Sequence, residues 1–150
     1  MKLAEALLLR AEYQQRIGIL QGRILANLKV EESETPLEDP NALLREAREI
    51  NASLCALIKR INARNIVAAL PDGRSLAEAL ADRDALKSER NLLAAVTNQA
   101  AQKDFRLTHT ELKTRVTVPV AELQKRVDGL SRDYRELDAQ IQAVNWTVEL

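Results

Sequence analysis

The stretch VAELQKRVDGLSRDYRELDAQIQAV, residues 120–144, decides how this chain folds. Its large apolar side chains recur at alternating intervals of four and three residues, which brings them onto one face of an α-helix. A helix with such a seam owes most of its stability in water to packing against another helix. The seam consists of Leu123, Val127, Leu130, Tyr134, Leu137, Ile141 and Val144.

Three further segments carry a similar spacing, and local signals mark where two of them begin. Asp39 can cap the free amides of a helix whose first residue, Pro40, needs no donor there. Ser75 and Glu78 form a capping box, in which each side chain accepts a hydrogen bond from the other residue's amide. The expected helices are about Lys2–Leu28, Pro40–Asn65, Ser75–Lys103 and a last helix that begins at Pro119.

The composition agrees with a helical protein. Aromatic residues make up only 3% of the 150 residues, and the chain holds four glycines and four prolines, which argues against a sandwich or barrel. Long helices with short connections pack antiparallel. We therefore predict a mostly α fold: one domain over residues 1–150, built as an antiparallel four-helix bundle with a short β element before the last helix.

That β element is predicted by alternation near Glu111–Val118. One face would hold Leu112, Thr114, Val116 and Val118, and the other Lys113, Arg115 and Thr117. A single strand is unstable and requires a partner. The segment Ile66–Leu70 is one candidate partner, although it could also be a frayed helix end. The same strand of a second subunit is the other candidate.

The net charge and the residue counts exclude several classes of function. The 22 basic and 22 acidic residues cancel, so no overall field attracts nucleic acid. One cysteine, Cys55, and one histidine, His109, are too few for a disulfide framework or an ordinary Cys/His zinc site. Familiar catalytic motifs are absent. We expect no catalysis, no cofactor, no metal, a cytoplasmic location and a buried Cys55.

The third helix carries arginines on its inward stripe. The seam through Ala79, Leu86 and Leu93 also includes Arg83 and Arg90, and arginine is rarely buried without a partner. Their partners could be Glu136 or Asp138 on the last helix. One interpretation is a polar pocket of Arg83, Arg90, Glu136 and Asp138 that binds a ligand. The other is that both arginines lie at the stripe's edge with their charged groups in water.

The first helix is apolar around more of its circumference than one contact requires. Leu8, Ile19 and Leu25 lie off its main stripe. Glycines within a helix cost stability, and close backbone approach often recovers that cost. We therefore predict that this helix also contacts another subunit, in a homo-oligomer, through a smooth face of Ala11, Gly18, Gly22 and Ala26.

Several stretches resemble a known family. They are residues 1–7 (MKLAEAL), residues 72–81 (DGRSLAEALA) with Arg83, Asp84 and Leu86, and two parts of the last helix, residues 120–128 and 134–138, with its Asn145–Thr147 end. Together they resemble the septicolysin-labelled family of small bacterial helical proteins. The resemblance implies a small helical bacterial protein and supplies no catalytic residues, while the family label implies a pore-forming cytolysin.

The residues and the resemblance lead to three readings of function. The first is a non-catalytic structural or interaction protein that forms homo-oligomers, without stable membrane insertion. The second is a membrane-active, cytolysin-like protein, as the family label suggests, although no export signal or aromatic membrane anchor is visible. The third is binding of a small ligand near Arg83 and Arg90.

Overall fold

The computed structural model describes residues 1–102 and 114–150, which are mostly helical. Over these residues the chain forms four long helices, as the apolar seams predicted. They begin and end within a few residues of the expected positions. They are α1 (Leu3–Ala26), α2 (Pro40–Val67), α3 (Leu76–Ala101) and α4 (Val120–Thr147).

The chain divides into two compact units. The first unit comprises Met1–Ala77 and Gln142–Leu150, and the second comprises Glu78–Ile141. The first unit therefore contains α1 and α2 with both chain ends. The second contains most of α3 and α4. The expectation of a single domain stays a prediction.

In the first unit, α1 and α2 pack antiparallel. Arg16 of α1 lies 3.1 Å from Glu46 of α2, and Arg23 further along α1 pairs with Glu38 just before α2. Between the helices, the expected seams meet. Leu20, Leu43 and Ile50 form the buried centre, and Tyr13, Ile17, Ile24 and Ala47 pack against it. Each buried Leu or Ile contributes about 1.5–3 kcal/mol relative to exposure.

Capping at the start of α2 follows the sequence signal. The side chain of Asp39 accepts a hydrogen bond from the Asn41 amide at 2.9 Å, and Pro40 occupies the first turn. This cap satisfies an amide that has no partner within the helix. At α1, the amide of Lys2 donates to the Glu5 carboxylate at 2.7 Å.

A short hairpin joins α2 to α3. The backbone is extended at Ala68, and Ala69 and Ser75 form an isolated antiparallel bridge. The Leu70 amide donates to the Arg74 carbonyl at 2.8 Å. Gly73 closes the turn with φ of 90°, a conformation that glycine adopts without steric cost. The ambiguous segment 66–70 is therefore helical up to Val67 and extended after it.

The predicted short β element is wrong over the part of it that the structure describes. Residues 114–118 form no strand, and Glu111–Lys113 lie outside the described residues. The backbone of the candidate partner, residues 68–70, already pairs with residues 74–76. The alternating valines Val116 and Val118 are exposed, so alternation here does not reflect one buried face.

Both chain ends meet in the first unit. The Leu3 amide donates to the Val148 carbonyl at 2.9 Å, and the Leu150 amide donates to the Met1 carbonyl at 2.9 Å. The Glu149 carboxylate forms ion pairs with the α-amino group of Met1 at 2.9 Å and with the Lys2 ammonium at 2.7 Å. Hydrogen bonds from Lys2 and then from the α-amino group lower the pKa of Glu149 to about 2.

In the second unit, α3 and α4 also run antiparallel. Arg83 of α3 pairs with Asp138 of α4, and Glu89 of α3 pairs with Arg126 of α4. The predicted seam of α4 supplies most of the buried apolar side chains. They are Ala79 from α3 and Val127, Leu130, Leu137 and Ile141 from α4.

Candidate functional site

Arg83 joins α3 to α4. Its Nη1 atom donates to Oδ1 of Asp138 at 2.9 Å, and its Nη2 atom donates to Oδ1 of Asp84 at 3.3 Å. The side chain is 23% exposed. Burial lowers the pKa of Arg83, but the hydrogen bonds that Arg83 donates to Asp138 and Asp84 outweigh burial, and the pKa of Arg83 is raised. Arg83 is thus a paired cation.

Arg90 has different neighbours. Its Nε atom donates to the Ser131 hydroxyl at 3.1 Å, and its Nη1 atom donates to Oδ1 of Asn91 at 3.2 Å. The Ser131 hydroxyl in turn donates to the Val127 carbonyl at 2.8 Å. Arg90 forms no ion pair with any residue that the structure describes. Glu136, the fourth member of the predicted pocket, is exposed and likewise has no ion-pair partner there.

A cavity of about 290 Å³ opens beside Arg90, between α3 and α4. Three cations line it, and none of its lining residues within the described part of the chain is a carboxylate. We call this site the basic cleft. It is lined by Lys87, Arg90 and Asn91 from α3 and by Ser131, Tyr134 and Arg135 from α4.

Four of these residues were not predicted from the sequence: Lys87, Asn91, Ser131 and Arg135. A signal for them existed, because the lining residues of each helix follow the spacing i, i+3, i+4, which places them on one helical face. The spacing became informative only once the two faces were known to meet.

The predicted oligomer face of α1 points away from the first unit's core. Ala11, Gly18, Gly22 and Ala26 are all exposed. A Cβ atom built at Gly18 or Gly22 would meet no atom within 4 Å. We call this surface the outward face of α1. It consists of Leu8, Ala11, Gln15, Gly18, Ile19, Gly22, Leu25 and Ala26.

The described residues also bear on three other kinds of site or segment: a metal site, a reactive cysteine and a membrane-spanning helix. Across residues 1–102 and 114–150, no group of three or more His, Cys, Asp or Glu side chains could hold a metal ion. His109 lies outside the described residues. Cys55 is exposed, so its expected burial is wrong. None of the helices described combines the length and apolar character needed to cross a membrane.

Two antiparallel pairs of long helices, with a basic cleft in one pair, define the described part of the chain as a helical protein. Residues 10–150 match Family of unknown function (DUF6847), and the chain belongs to this family. It is also similar to a functionally unknown conserved protein from Corynebacterium diphtheriae, known from a crystal structure. The two are 37% identical with a TM-score of 0.93, over 100% of this chain and 98% of that one. No curated protein matches the chain.

The resemblance to septicolysin-labelled proteins is wrong. The family match covers nearly the whole chain and is to a different family. The quoted stretches are rich in Ala, Leu, Glu and Arg, which any long amphipathic helix favours, so they carry little family information. The cytolysin reading rested on that label, and nothing in the family match or the crystal structure supports pore formation.

Proposed function

We propose that this protein is a non-catalytic interaction protein whose copies associate through the outward face of α1. The observation that carries the proposal is the open space in front of Gly18 and Gly22. A glycine inside a helix costs about 1 kcal/mol relative to alanine. No described part of the chain approaches either glycine closely enough to exclude a Cβ atom. Packing within the chain therefore does not require these glycines, whereas close approach by a second molecule would.

The apolar residues of this face support the same proposal. Leu8, Ile19 and Leu25 are 64%, 54% and 59% exposed. Within the face, Leu8, Ala11, Gln15, Gly18, Gly22 and Leu25 alternate by three and four residues, the spacing of a helix-packing seam. The core seam of α1 faces α2, so this second seam is unused within the first unit.

The occupant that fits best is a second copy of this chain. A two-fold interface places one patch against itself, so the patch must not repel its own copy. The outward face carries no charged residue, in a chain where 29% of residues are charged. The nearby Arg16 and Arg23 are turned toward Glu46 and Glu38, which neutralise them. Two such helices are each of 24 residues and thus about 36 Å long. They can meet along this face with the exposed Glu12 at its edge, beside Ile19, and no charge at its centre.

Sedimentation velocity of the whole protein across micromolar concentrations tests the proposal. We expect the wild type to form a dimer or larger oligomer. Ile19→Lys should weaken association at least about tenfold, because a symmetric interface would bury the new charge twice. Ile66→Lys is the matched control, since it is the same substitution at an exposed isoleucine of α2, outside the face. A wild type that stays monomeric, or equal effects of both substitutions, would contradict the proposal.

The remaining expectations stay predictions. A single antiparallel bundle of all four helices, the absence of catalysis and a cytoplasmic location were predicted from the sequence. Cell fractionation of the native host tests the location.

A further inference from the structure

We propose that the basic cleft between α3 and α4 binds a small organic phosphate. The cleft gathers Lys87, Arg90 and Arg135 around one cavity of about 290 Å³, and no carboxylate among residues 1–102 and 114–150 lines it. This volume is at the lower end of the range for small-molecule sites and is larger than a single ion needs. The inference is independent of the proposed association through α1.

The comparison with Arg83 indicates why the cleft lacks an internal counter-charge. Arg90 follows Arg83 by one heptad on α3, and Ser131 precedes Asp138 by one heptad on α4. Because the helices are antiparallel, these positions form two equivalent layers of one helix pair. In one layer Arg83 meets the Asp138 carboxylate at 2.9 Å, and in the other Arg90 meets the Ser131 hydroxyl at 3.1 Å.

The neighbouring cations repeat this contrast. Arg126 on α4 pairs with Glu89 on α3 at 2.9 Å. Lys87 and Arg135, which line the cleft, form no ion pair with any described residue, and neither does Arg90. Like charges around one cavity repel each other, and a bound anion would convert that repulsion into attraction.

The donors of the cleft fit a phosphoryl group. Arg90 uses Nε and Nη1 within the protein, and its Nη2 atom donates to no residue of the described chain. Arg135 offers a second guanidinium, and Lys87 adds an ammonium group. Guanidinium groups bind phosphate oxygens in pairs, and lysine acts as a point charge. A phosphate monoester, with a charge near −2, balances three cations better than a single carboxylate does.

The remaining lining residues determine which organic group could be attached to the phosphate. The ring of Tyr134 supplies an apolar wall beside the cations, against which a small organic group can lie. Nucleic acid fits less well, because it is bound by an extended basic stripe and this chain has no net charge. The chemistry therefore favours a compact phosphate monoester over a polyanion.

Calorimetric titration at constant ionic strength tests the proposal, with phenyl phosphate, inorganic phosphate and benzoate as probes. We expect phenyl phosphate to bind most tightly and benzoate least. Arg90→Gln and Arg135→Gln should each weaken binding about tenfold or more, as expected for the loss of a charged hydrogen bond. Lys125→Gln, an exposed change of equal charge on α4, should leave binding unchanged.

Ser131→Asp provides a second variant, whose helical content circular dichroism checks. It should reproduce the Arg83–Asp138 layer, supply Arg90 with an internal carboxylate and abolish phosphate binding. Arg90→Lys keeps the charge but lacks the planar fork, and should recover only part of the affinity lost in Arg90→Gln. Absence of phenyl phosphate binding to the wild type would overturn the proposal. So would equal losses in Arg90→Gln and Lys125→Gln, since a general charge effect would then explain them.

Discussion

Arg83 on α3 and Asp138 on α4 form a 2.9 Å ion pair that connects the two helices of the second unit. Both side chains are partly buried, so the pair is screened less than a surface pair. Its equivalent one heptad away, Arg90 with Ser131, lacks the carboxylate. The same helix pair thus contains one closed ionic layer and one layer that is open to an external anion.

Asp138→Asn should destabilise the protein. It leaves the partly buried Arg83 with Asp84 as its remaining acidic partner, and Asp84 is well exposed. The loss should be about 1–3 kcal/mol in the free energy of unfolding, the range for removing a hydrogen bond to a charged group. Urea unfolding followed by circular dichroism measures it. Asp133→Asn, which removes a longer 3.5 Å contact with exposed Arg132, is the control and should change little.

Gly18→Ala and Gly22→Ala should have opposite effects on folding and on association. Each should stabilise the separate chain by about 1 kcal/mol, because alanine favours the helix and meets no atom within 4 Å. The added methyl groups should also hold two α1 helices apart and weaken the oligomer. Unfolding at a dilution where the chain is monomeric measures the first effect, and sedimentation measures the second.

Gly129→Ala in α4 is the matched control for these glycines. It also meets no atom within 4 Å, so it should stabilise the chain to a similar degree. It lies outside the outward face of α1 and should leave association unchanged. If it weakened the oligomer as Gly22→Ala does, the role assigned to α1 would be wrong.

Gly73→Ala should destabilise the first unit, in contrast with the helical glycines. Its φ of 90° lies in the region that side chains disfavour, although no atom lies near a built Cβ. The cost should be about 1–2 kcal/mol in the free energy of unfolding. Gly73→Asn should cost less, because asparagine tolerates positive φ better. A thermal unfolding series measures both, and an unchanged stability in Gly73→Ala would contradict the requirement for glycine in this turn.

Stability should depend on Glu149 in acid. The pKa of Glu149 is lowered from 4.5 to about 2 in the folded chain by Lys2 and the α-amino group. A lowered folded pKa means that the ionised carboxylate stabilises the fold above pH 4.5, and that this stabilisation is lost as the pH falls toward 2. Glu149→Gln should therefore be less stable than the wild type at neutral pH, with a difference that shrinks below pH 4.5.

Unfolding free energies of both proteins across this pH range measure the difference. Glu136→Gln is the control, because Glu136 is exposed and has no ion-pair partner among the described residues. A difference between wild type and Glu149→Gln that stays constant down to pH 2 would contradict the role of Glu149.

Local signals were sufficient for the helices and insufficient for the short β element. The seam of α4 and the cap at Asp39 act within a few residues of the chain, so each could be recognised without knowing the fold. The alternation near Val116 and Val118 was equally local, but a strand exists only with a paired neighbour. The backbone of residues 68–70 was already paired with the other arm of its own hairpin.

The candidate site was less predictable than the helices. The sequence pattern placed Arg83 and Arg90 on one stripe of α3, with Asp138 and Glu136 as possible partners on α4. It did not determine which arginine pairs with which carboxylate. Lys87 and Arg135 could not be joined to Arg90 by pattern alone. Their convergence depends on the alignment of α3 against α4.

By itself, then, the sequence determined four amphipathic helices, because the apolar period and the caps are properties of neighbouring residues. The tertiary structure alone decided which charges are neutralised. Antiparallel alignment of α3 and α4 sets Asp138 against Arg83 but only a hydroxyl against Arg90. That alignment results from how two whole apolar faces pack together, and no short stretch of sequence contains it.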